Sequence, residues 1–383
     1  MTLLEIRDQL DEVDQEITRL YKKRMDLCAE VARVKIGSGK AVFDPKREAE
    51  KLDTVASYLD TDFDQKAIRE LYQQMMNISR RLQLSIMTEQ GKAFDTEYHK
   101  AGSCIKTEQD GVKVVYQGVE GAYAEIAARE FFTKNSQQET DYSHVETWKD
   151  ALDQVMADAA DYAVLPIENS SHGAVTDNFD LLLRYPKLSI IGELDLPVAH
   201  ALMSVDGASI SGLREVYSHA QALGQCRTFF ENHPTIKPVP VLNTAVAARL
   251  VRDRRDPGIA ALASVRSAEI YGLRVMQYEV NESKSNTTRF AILGKQKSYT
   301  ENARKISLCF ETAHKPGALY NVLGNFVFND VNMLMIQSRP IPEKPFQYRF
   351  FVDIEGRLDE PKIINVLNGM QDQTTELRIL GCY

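Results

Sequence analysis

The stretch Lys284-Ser285-Asn286-Thr287-Thr288-Arg289-Phe290, followed at once by Ala291-Ile292-Leu293, sets hydroxyls, a fixed cation and an aromatic ring at the mouth of an apolar run. A short apolar run behind a polar loop reads as a buried strand. Either the segment is only a loop leading into that strand, or it presents Thr288 and Arg289 to a small anion. The surrounding sequence bears on the choice. Across residues 112–298, strand-like segments at 112–116, 162–167 and 188–191 alternate with helix-like ones near 123–133, 148–157 and 176–183. Such alternation predicts sheets covered by helices, where ligands bind at the carboxyl ends of strands and near helix N-termini. Polar clusters stand at those ends: residues 117–123, Glu168-Asn169-Ser170-Ser171-His172-Gly173, Tyr217-Ser218-His219-Ala220-Gln221 and Asn243-Thr244-Ala245. Each alone reads as a turn or a helix cap. Four of them beside the Thr-Arg-Phe stretch point to one cleft.

The chain has 383 residues, room for two or three domains. With 44% hydrophobic and 26% charged residues its composition is that of a globular protein. A net charge of −8 argues against a general nucleic-acid or anionic-membrane binder, which needs a cationic footprint. No apolar run approaches the roughly 20 residues of a membrane helix, and the N-terminal stretch, charged from Glu5 onward, does not read as a signal peptide. Five scattered cysteines, without a CxxC pair or a Cys/His cluster, read as reduced thiols of a cytoplasmic protein with no metal site.

Near the N-terminus, apolar residues recur at Leu3, Ile6, Leu10, Val13, Ile17, Leu20, Leu27, Val31 and Val34, the three-and-four spacing of a heptad seam. The pattern predicts one helix of roughly 35 residues, about 50 Å long, whose stripe needs partner helices or a second subunit. Arg24 stands in the seam where an apolar residue belongs, and a buried Arg requires an anion. Lys35, about three turns on, projects from nearly the same face, whereas Arg7 lies about 100° away around the helix and suits the equivalent pocket of a partner subunit. Gly37-Ser38-Gly39-Lys40 reads as a turn. Asp44 and Pro45 then start a second helix as N-cap and first residue. A third, over about 64–90, carries Ile68, Leu71, Met75, Ile78 and Leu82 as its stripe, with Ser79 and Gln83 one turn apart beside it. These residues suit a dimerising helical hairpin or a cation-lined anion site.

The long first helix with its spaced cations, the Asp44/Arg47/Glu48 segment and the Ser79/Gln83 pair resemble the AroQ-type chorismate mutase domain over residues 1–91. The resemblance implies an all-α module that rearranges chorismate to prephenate, a Claisen reaction that needs positioning and electrostatic stabilisation rather than a nucleophile. It implies that Arg24 and the partner subunit's Arg7 clamp carboxylates. Lys35 and Gln83 would bind the ether oxygen as negative charge develops there. Asp44, Arg47 and Glu48 would hold the hydroxyl end, and Ser79 would assist at a carboxylate. Residues 92–111, polar and aperiodic, read as a linker.

Pro166-Ile167-Glu168-Asn169-Ser170, Tyr217-Ser218-His219, Tyr271-Gly272-Leu273 and Asn286-Thr287-Thr288-Arg289-Phe290 resemble prephenate dehydratase over residues 112–298. That family implies a two-lobed α/β fold like a periplasmic binding protein, with a second lobe over about 194–280 and a return through Thr288-Arg289-Phe290. Its reaction expels carbon dioxide and hydroxide from prephenate to give phenylpyruvate. The resemblance implies that Thr288 donates to the departing hydroxyl, Arg289 clamps a carboxylate, and Glu168, Asn169, Ser170, His219, Gln221 and Thr244 line the cleft. No cofactor is implied.

Strand and helix patterns over residues 299–383 follow the order βαββαβ, a ferredoxin-like α+β arrangement. Gly317-Ala318-Leu319 and Gln337-Ser338-Arg339-Pro340 resemble the ACT domain, with Gln337 where that family usually has Glu. The resemblance implies phenylalanine as an effector bound at a subunit interface by Gly317, Ala318, Leu319, Gln337, Ser338 and Arg339. The expected protein is thus a multidomain homodimer or higher homo-oligomer. A dehydratase whose helical module only dimerises, and a sensor that closes on a ligand without chemistry, are the rival readings.

Overall fold

The structure is a computed structural model that describes residues 1–106, 111–136, 139–342 and 344–383. It divides into two compact units. One joins Met1–Thr96 with Arg304–Ile379, and the other joins Glu97–Ala303 with Leu380–Tyr383.

The first unit opens with three helices, α1 (Leu3–Ser38), α2 (Pro45–Ala56) and α3 (Asp62–Glu89). The Thr2, Asp44 and Thr61 side chains accept hydrogen bonds from the backbone N–H groups of Glu5, Arg47 and Asp64, satisfying donors that a first turn leaves unpaired. α1 ends where Gly39 adopts φ 65°, a left-handed conformation that glycine takes at little cost. Gly37 and Ser38 are therefore helical, and the expected turn starts only at Gly39.

The apolar seam of α1 lies on the outside of the chain. Leu10 is 55% exposed, Ile17 57% and Val34 70%. The face that packs on α3 is a different one, built from Met25, Cys28 and Ala32 and flanked by Arg24 and Lys35. The small Cys28 and Ala32 let the two helices approach, and the bulky stripe is left for another surface. The expected stripe of α3 is displaced in the same way: Ile68, Met75, Ile78 and Leu82 are half-buried and Leu71 is exposed. Its buried face carries Met76, Asn77, Ser79, Arg80, Gln83, Leu84 and Met87. That face is largely polar because its members bond to one another and to residues of α1, α2 and the C-terminal part, as buried polar groups must.

The C-terminal part of this unit runs strand Lys305–Thr312, helix Ala318–Phe328, strands Met333–Ile341 and Lys344–Glu355, helix Pro361–Gln371 and, up to Ile379, strand Thr374–Cys382. The sheet order is Met333–Ile341, Lys344–Glu355, Lys305–Thr312, Thr374–Cys382. Both helices pack on α3. Thr88 donates to Asn365 at 2.6 Å, and the Arg81 guanidinium lies 5.4 Å from the centre of the Phe328 ring.

The second unit has two lobes. In the first, the strands run in the order Ser189–Pro197, Thr287–Gly294, Tyr162–Asn169, Val112–Gln117, Thr140–Val145. In the second, the order is Arg274–Gln277, Ala201–Ser204, Ile259–Ala263, Glu215–His219, Lys237–Val241. Leu194–Pro197 still pair with residues 287–290, so the crossing falls at 198–200 rather than at 194. The two crossings hold each other: Val198 N–H donates to the Asn286 carbonyl (2.8 Å), and His200 N–H to Asn281 Oδ1 (2.9 Å). The expected linker contributes a short strand, His99–Lys100, paired with Ser298–Tyr299, and a buried Cys104. Its residues 107–110 lie outside the described residues. Among the described residues no helix is long and apolar enough to cross a membrane.

Candidate active sites

In the first unit, α1, α2 and α3 gather most of the expected cations and amides. Arg24 donates to the Ser79 hydroxyl and to the Met75 carbonyl at 3.4 Å. Lys35 Nζ donates to the Val42 carbonyl at 2.7 Å, which uses one of its three N–H groups. Burial pushes the Lys35 pKa down, against the upward pull of Asp44 and the further influence of Arg47 and Glu48. Gln83 is buried. Its Nε2 donates to the Ser79 carbonyl at 3.2 Å, and its Oε1 has no partner among the described residues. Glu48 takes 2.6 Å bonds from Arg80 on both carboxylate oxygens. Arg80 and Asn77 belong to this cluster and escape a reading of apolar periodicity, although Arg80 directly follows Ser79. Asp44 caps α2 with one carboxylate oxygen, Oδ1, which accepts from the Arg47 N–H at 3.1 Å. Arg7 stands seventeen residues before Arg24, about 25 Å along the helix, so it does not reach the Arg24 cluster of its own chain.

In the second unit, a cleft of about 470 Å³ opens between the lobes. The expected Asn169, His219, Gln221, Thr244 and Thr288 all line it. Three expected residues do not. Arg289 alternates with Thr288 and Phe290 along a strand, so it points to the opposite face of the sheet. There it bonds to Asp195 (3.0 Å) and Glu168 (3.0 Å), with Glu193 at 3.6 Å. Burial works to lower the pKa of this guanidinium, but the Asp195 bond and the neighbouring carboxylates raise it on balance. Glu168 shares that face by the same alternation, and Ser170 is engaged with the Ser285 carbonyl and the Thr287 N–H. The expectations of an Arg289 clamp and of Glu168 and Ser170 as lining residues are therefore corrected.

The hydrogen bonds around Thr288 have one consistent direction. Asn169 Oδ1 accepts from the Ser171 N–H at 3.0 Å, so its amide nitrogen faces Thr288 and donates to Oγ1 at 2.9 Å. Thr288's own hydroxyl proton meets no acceptor among the described residues and is free to point into the cleft. The same Asn169 nitrogen donates to Asn286 Oδ1 (2.9 Å), Asn286 donates to Gln225 Oε1 (3.2 Å), and Gln225 lies 3.1 Å from His200 Nε2. His200 Nδ1 is 2.9 Å from the Tyr123 hydroxyl. Burial lowers the His200 pKa and raises that of Tyr123, which favours neutral forms of both. Tyr123 closes the expected polar cluster 117–123, whereas His200 and Gln225 were not legible as site residues. Gln225 alone left a trace, one turn beyond Gln221.

The lobes also meet at the loop before Tyr123. The Gly121 carbonyl accepts from Ser264 (2.8 Å) and Ser267 (3.0 Å), and Tyr271 donates to the Glu120 carbonyl (2.8 Å). Gly121 has φ 87°, and a Cβ there would stand 2.6 Å from the Ser267 hydroxyl, so this join requires glycine. The cleft is lined by residues at the N-terminal ends of five helices, at Tyr123, Trp148, Val175, Gln221 and Thr244, and its described lining contains no Arg or Lys.

Beside the helix Ala318–Phe328 a smaller cavity of about 290 Å³ is lined by Gly317, Ala318 and Leu319 with Thr312, Gln347 and Tyr348 among others. Gln337, Ser338 and Arg339 lie on the edge strand Met333–Ile341, opposite Phe351, Phe350 and Arg349, and do not line that cavity in the single chain.

Known proteins match both halves of this description. Residues 6–84 match the family chorismate mutase type II, and residues 114–298 match prephenate dehydratase. A bifunctional chorismate mutase/prephenate dehydratase of Escherichia coli is 30% identical over 390 residues, an alignment that covers 100% of this chain and 96% of the relative. The solved prephenate dehydratase of Arthrobacter aurescens in complex with L-Phe superposes with a TM-score of 0.65 at 27% identity, covering 71% of this chain and 90% of that one. A quorum-quenching acylase, GqqA, superposes with a TM-score of 0.64 at 28% identity, over 71% of this chain and 97% of that one. With a relative of 30% identity matched from end to end, and a helical domain followed by a two-lobed one in the same order, the chain belongs to the family of bifunctional chorismate mutase/prephenate dehydratases.

Proposed function

We propose that the helical module turns chorismate into prephenate, that the two-lobed module turns prephenate into phenylpyruvate, and that the C-terminal part is an ACT module binding phenylalanine. The observation that carries the dehydratase reading is the Thr288 hydroxyl, which lines the cleft and takes the Asn169 bond on its oxygen, so that its own proton can turn into the cleft. In the reaction the electron pair of the breaking C–CO₂ bond makes the ring aromatic and expels the ring hydroxyl. Thr288 passes its proton to that hydroxyl as it leaves as water, and takes a proton back from solvent before the next turnover. Threonine is a weak acid, and aromatisation drives the step that its acidity does not. The helix N-termini around the cleft, not Arg289, receive the carboxylates. The acylase relative shares the fold, but an acyl transfer would need a hydroxyl whose proton is taken by a base, and Thr288 accepts from an amide instead.

In the helical module, the free N–H groups of Lys35 and the second N–H of Gln83 meet the ether oxygen. Arg24 and Ser79 hold one carboxylate, and Asp44, Arg47 and Glu48 hold the hydroxyl end. A second copy of the chain covers the exposed seam of α1 and brings its own Arg7 to the pocket. At the C-terminal sheet, the edge strand with Gln337, Ser338 and Arg339 reaches the Gly317 cavity of a neighbouring copy. The division into modules at 1–91, 112–298 and 299–383, and a cytoplasmic location, complete this reading.

The purified chain alone, given chorismate, is expected to yield phenylpyruvate. Prephenate accumulating without phenylpyruvate would remove the dehydratase reading, and no consumption of chorismate would remove the mutase reading. Titration with millimolar phenylalanine in a calorimeter is expected to give saturable heat that is lost on Gly317→Val. A flat titration would leave the C-terminal part a structural module only.

A further inference from the structure

Glu48 is held by a residue outside the set assigned to the mutase pocket. The Arg80 and Glu48 side chains are only 9% and 17% exposed. One guanidinium nitrogen bridges both carboxylate oxygens at 2.6 Å. The guanidinium lies 4.7 Å from the centre of the Phe43 ring. Its second nitrogen donates to Asn77 Oδ1. Arginine can only donate, so Asn77 must turn its oxygen to Arg80 and its nitrogen away. That nitrogen donates to Asn321 Oδ1 at 3.1 Å. Gln73 Nε2, at 3.3 Å from the same Asn77 oxygen, fits this orientation. Asn321 sits on the first turn of the helix Ala318–Phe328, and its N–H bonds the carbonyl of Gly317 at 3.0 Å, a residue of the C-terminal cavity. A further carboxylate, Asp372, lies within electrostatic reach of Arg80, Lys35 and Glu48. Without Arg80 two carboxylates would share this partly buried place with less opposing charge.

We propose that Arg80 is a positioning residue of the mutase reaction: it holds the Glu48 carboxylate where the substrate hydroxyl meets it, and is itself oriented by Asn77 and, through Asn77, by Asn321 of the C-terminal part. The proposal rests on the mutase reading of the helical module. It implies that the same helix which borders the C-terminal cavity sets the geometry at Glu48.

The test uses the full chain and measures mutase and dehydratase turnover for Arg80→Met, Arg80→Lys, Glu48→Gln, the double variant Arg80→Met/Glu48→Gln, and Asn321→Ala. Misplacing a group that positions substrate costs about 10- to 100-fold, so Arg80→Met is expected to lower mutase kcat/KM by that factor while dehydratase turnover persists. Arg80→Lys should recover part of the loss. Because Arg80 acts through Glu48, the double variant should be no slower than Glu48→Gln alone. Asn321→Ala should give a smaller fall in the same parameter. Losses that multiply in the double variant, or Glu48→Gln losing turnover while Arg80→Met keeps it, overturn the proposal and leave the mutase reading standing. An inactive wild type overturns both. Should Arg80→Met fail to fold, the Lys and Asn321→Ala variants decide: wild-type mutase kinetics in both refute the role.

Discussion

Replacing Thr288 with Val is expected to cut phenylpyruvate formation by about 10²–10⁴-fold, the usual worth of a positioned proton donor, while chorismate consumption continues. The two side chains have the same shape, so the strand Thr287–Gly294 and its pairing are kept. Asn169 loses one acceptor but retains Asn286 Oδ1 and the Thr287 carbonyl at 3.3 Å, so little stability is at stake. Thr288→Ser should keep most of the activity, because it retains both the acceptor for Asn169 and a proton for the cleft. Stopped assays of phenylpyruvate on the three proteins decide the matter. A Val variant within tenfold of wild type would show that the leaving hydroxyl takes its proton elsewhere, with solvent the first alternative.

Lys35→Ala is the corresponding experiment in the helical module. Removing a charge aimed at an oxygen that gains negative character costs about 10²–10³-fold, and that loss is expected in prephenate formation with dehydratase turnover on added prephenate retained. The pH profile gives an independent reading of the same residue. Burial makes the Lys35 ammonium easier to deprotonate than the ordinary value of 10.5. Its charged form exists below its pKa, so mutase activity should fall as pH rises through that lowered value. Lys35→Gln, with no proton to lose, should lack this alkaline limb. A wild-type profile flat through the alkaline range, or an alanine variant with near-normal turnover, would remove Lys35 from the reaction.

The alternation of elements in the two-lobed module was readable because buried strands and amphipathic helices leave periodic apolar patterns. The helical module was readable in outline but not in orientation. Leu10, Ile17 and Val34 announce a seam, yet nothing in their spacing says that α3 takes the neighbouring face of Cys28 and Ala32. Arg289 shows a similar limit. Its residue type suggested an anion clamp, but strand pairing sends adjacent side chains to opposite faces, and local carboxylates satisfy it there. His200 and Gln225 act by joining elements distant in sequence, and a lone His at a crossing carries no periodic mark. Arg80 was hidden for another reason: a charge beside an expected site residue looks like a solvated surface until its half-buried partner, Glu48, is known.

The lining of the dehydratase cleft by helix N-termini, with no lysine or arginine in its described part, bears on how a cycle ends. Prephenate arrives with two carboxylates and phenylpyruvate leaves with one, the other having gone as carbon dioxide. On the proposed reading that these helix ends receive the carboxylates, each offers about half a positive charge, a hold that is adequate when two anions are gripped together and weak when one remains. A full guanidinium in the same place would cling to the product's surviving carboxylate. The choice of dipoles over fixed charges thus builds discharge into the chemistry itself, because decarboxylation removes one of the handles by which the ligand was held.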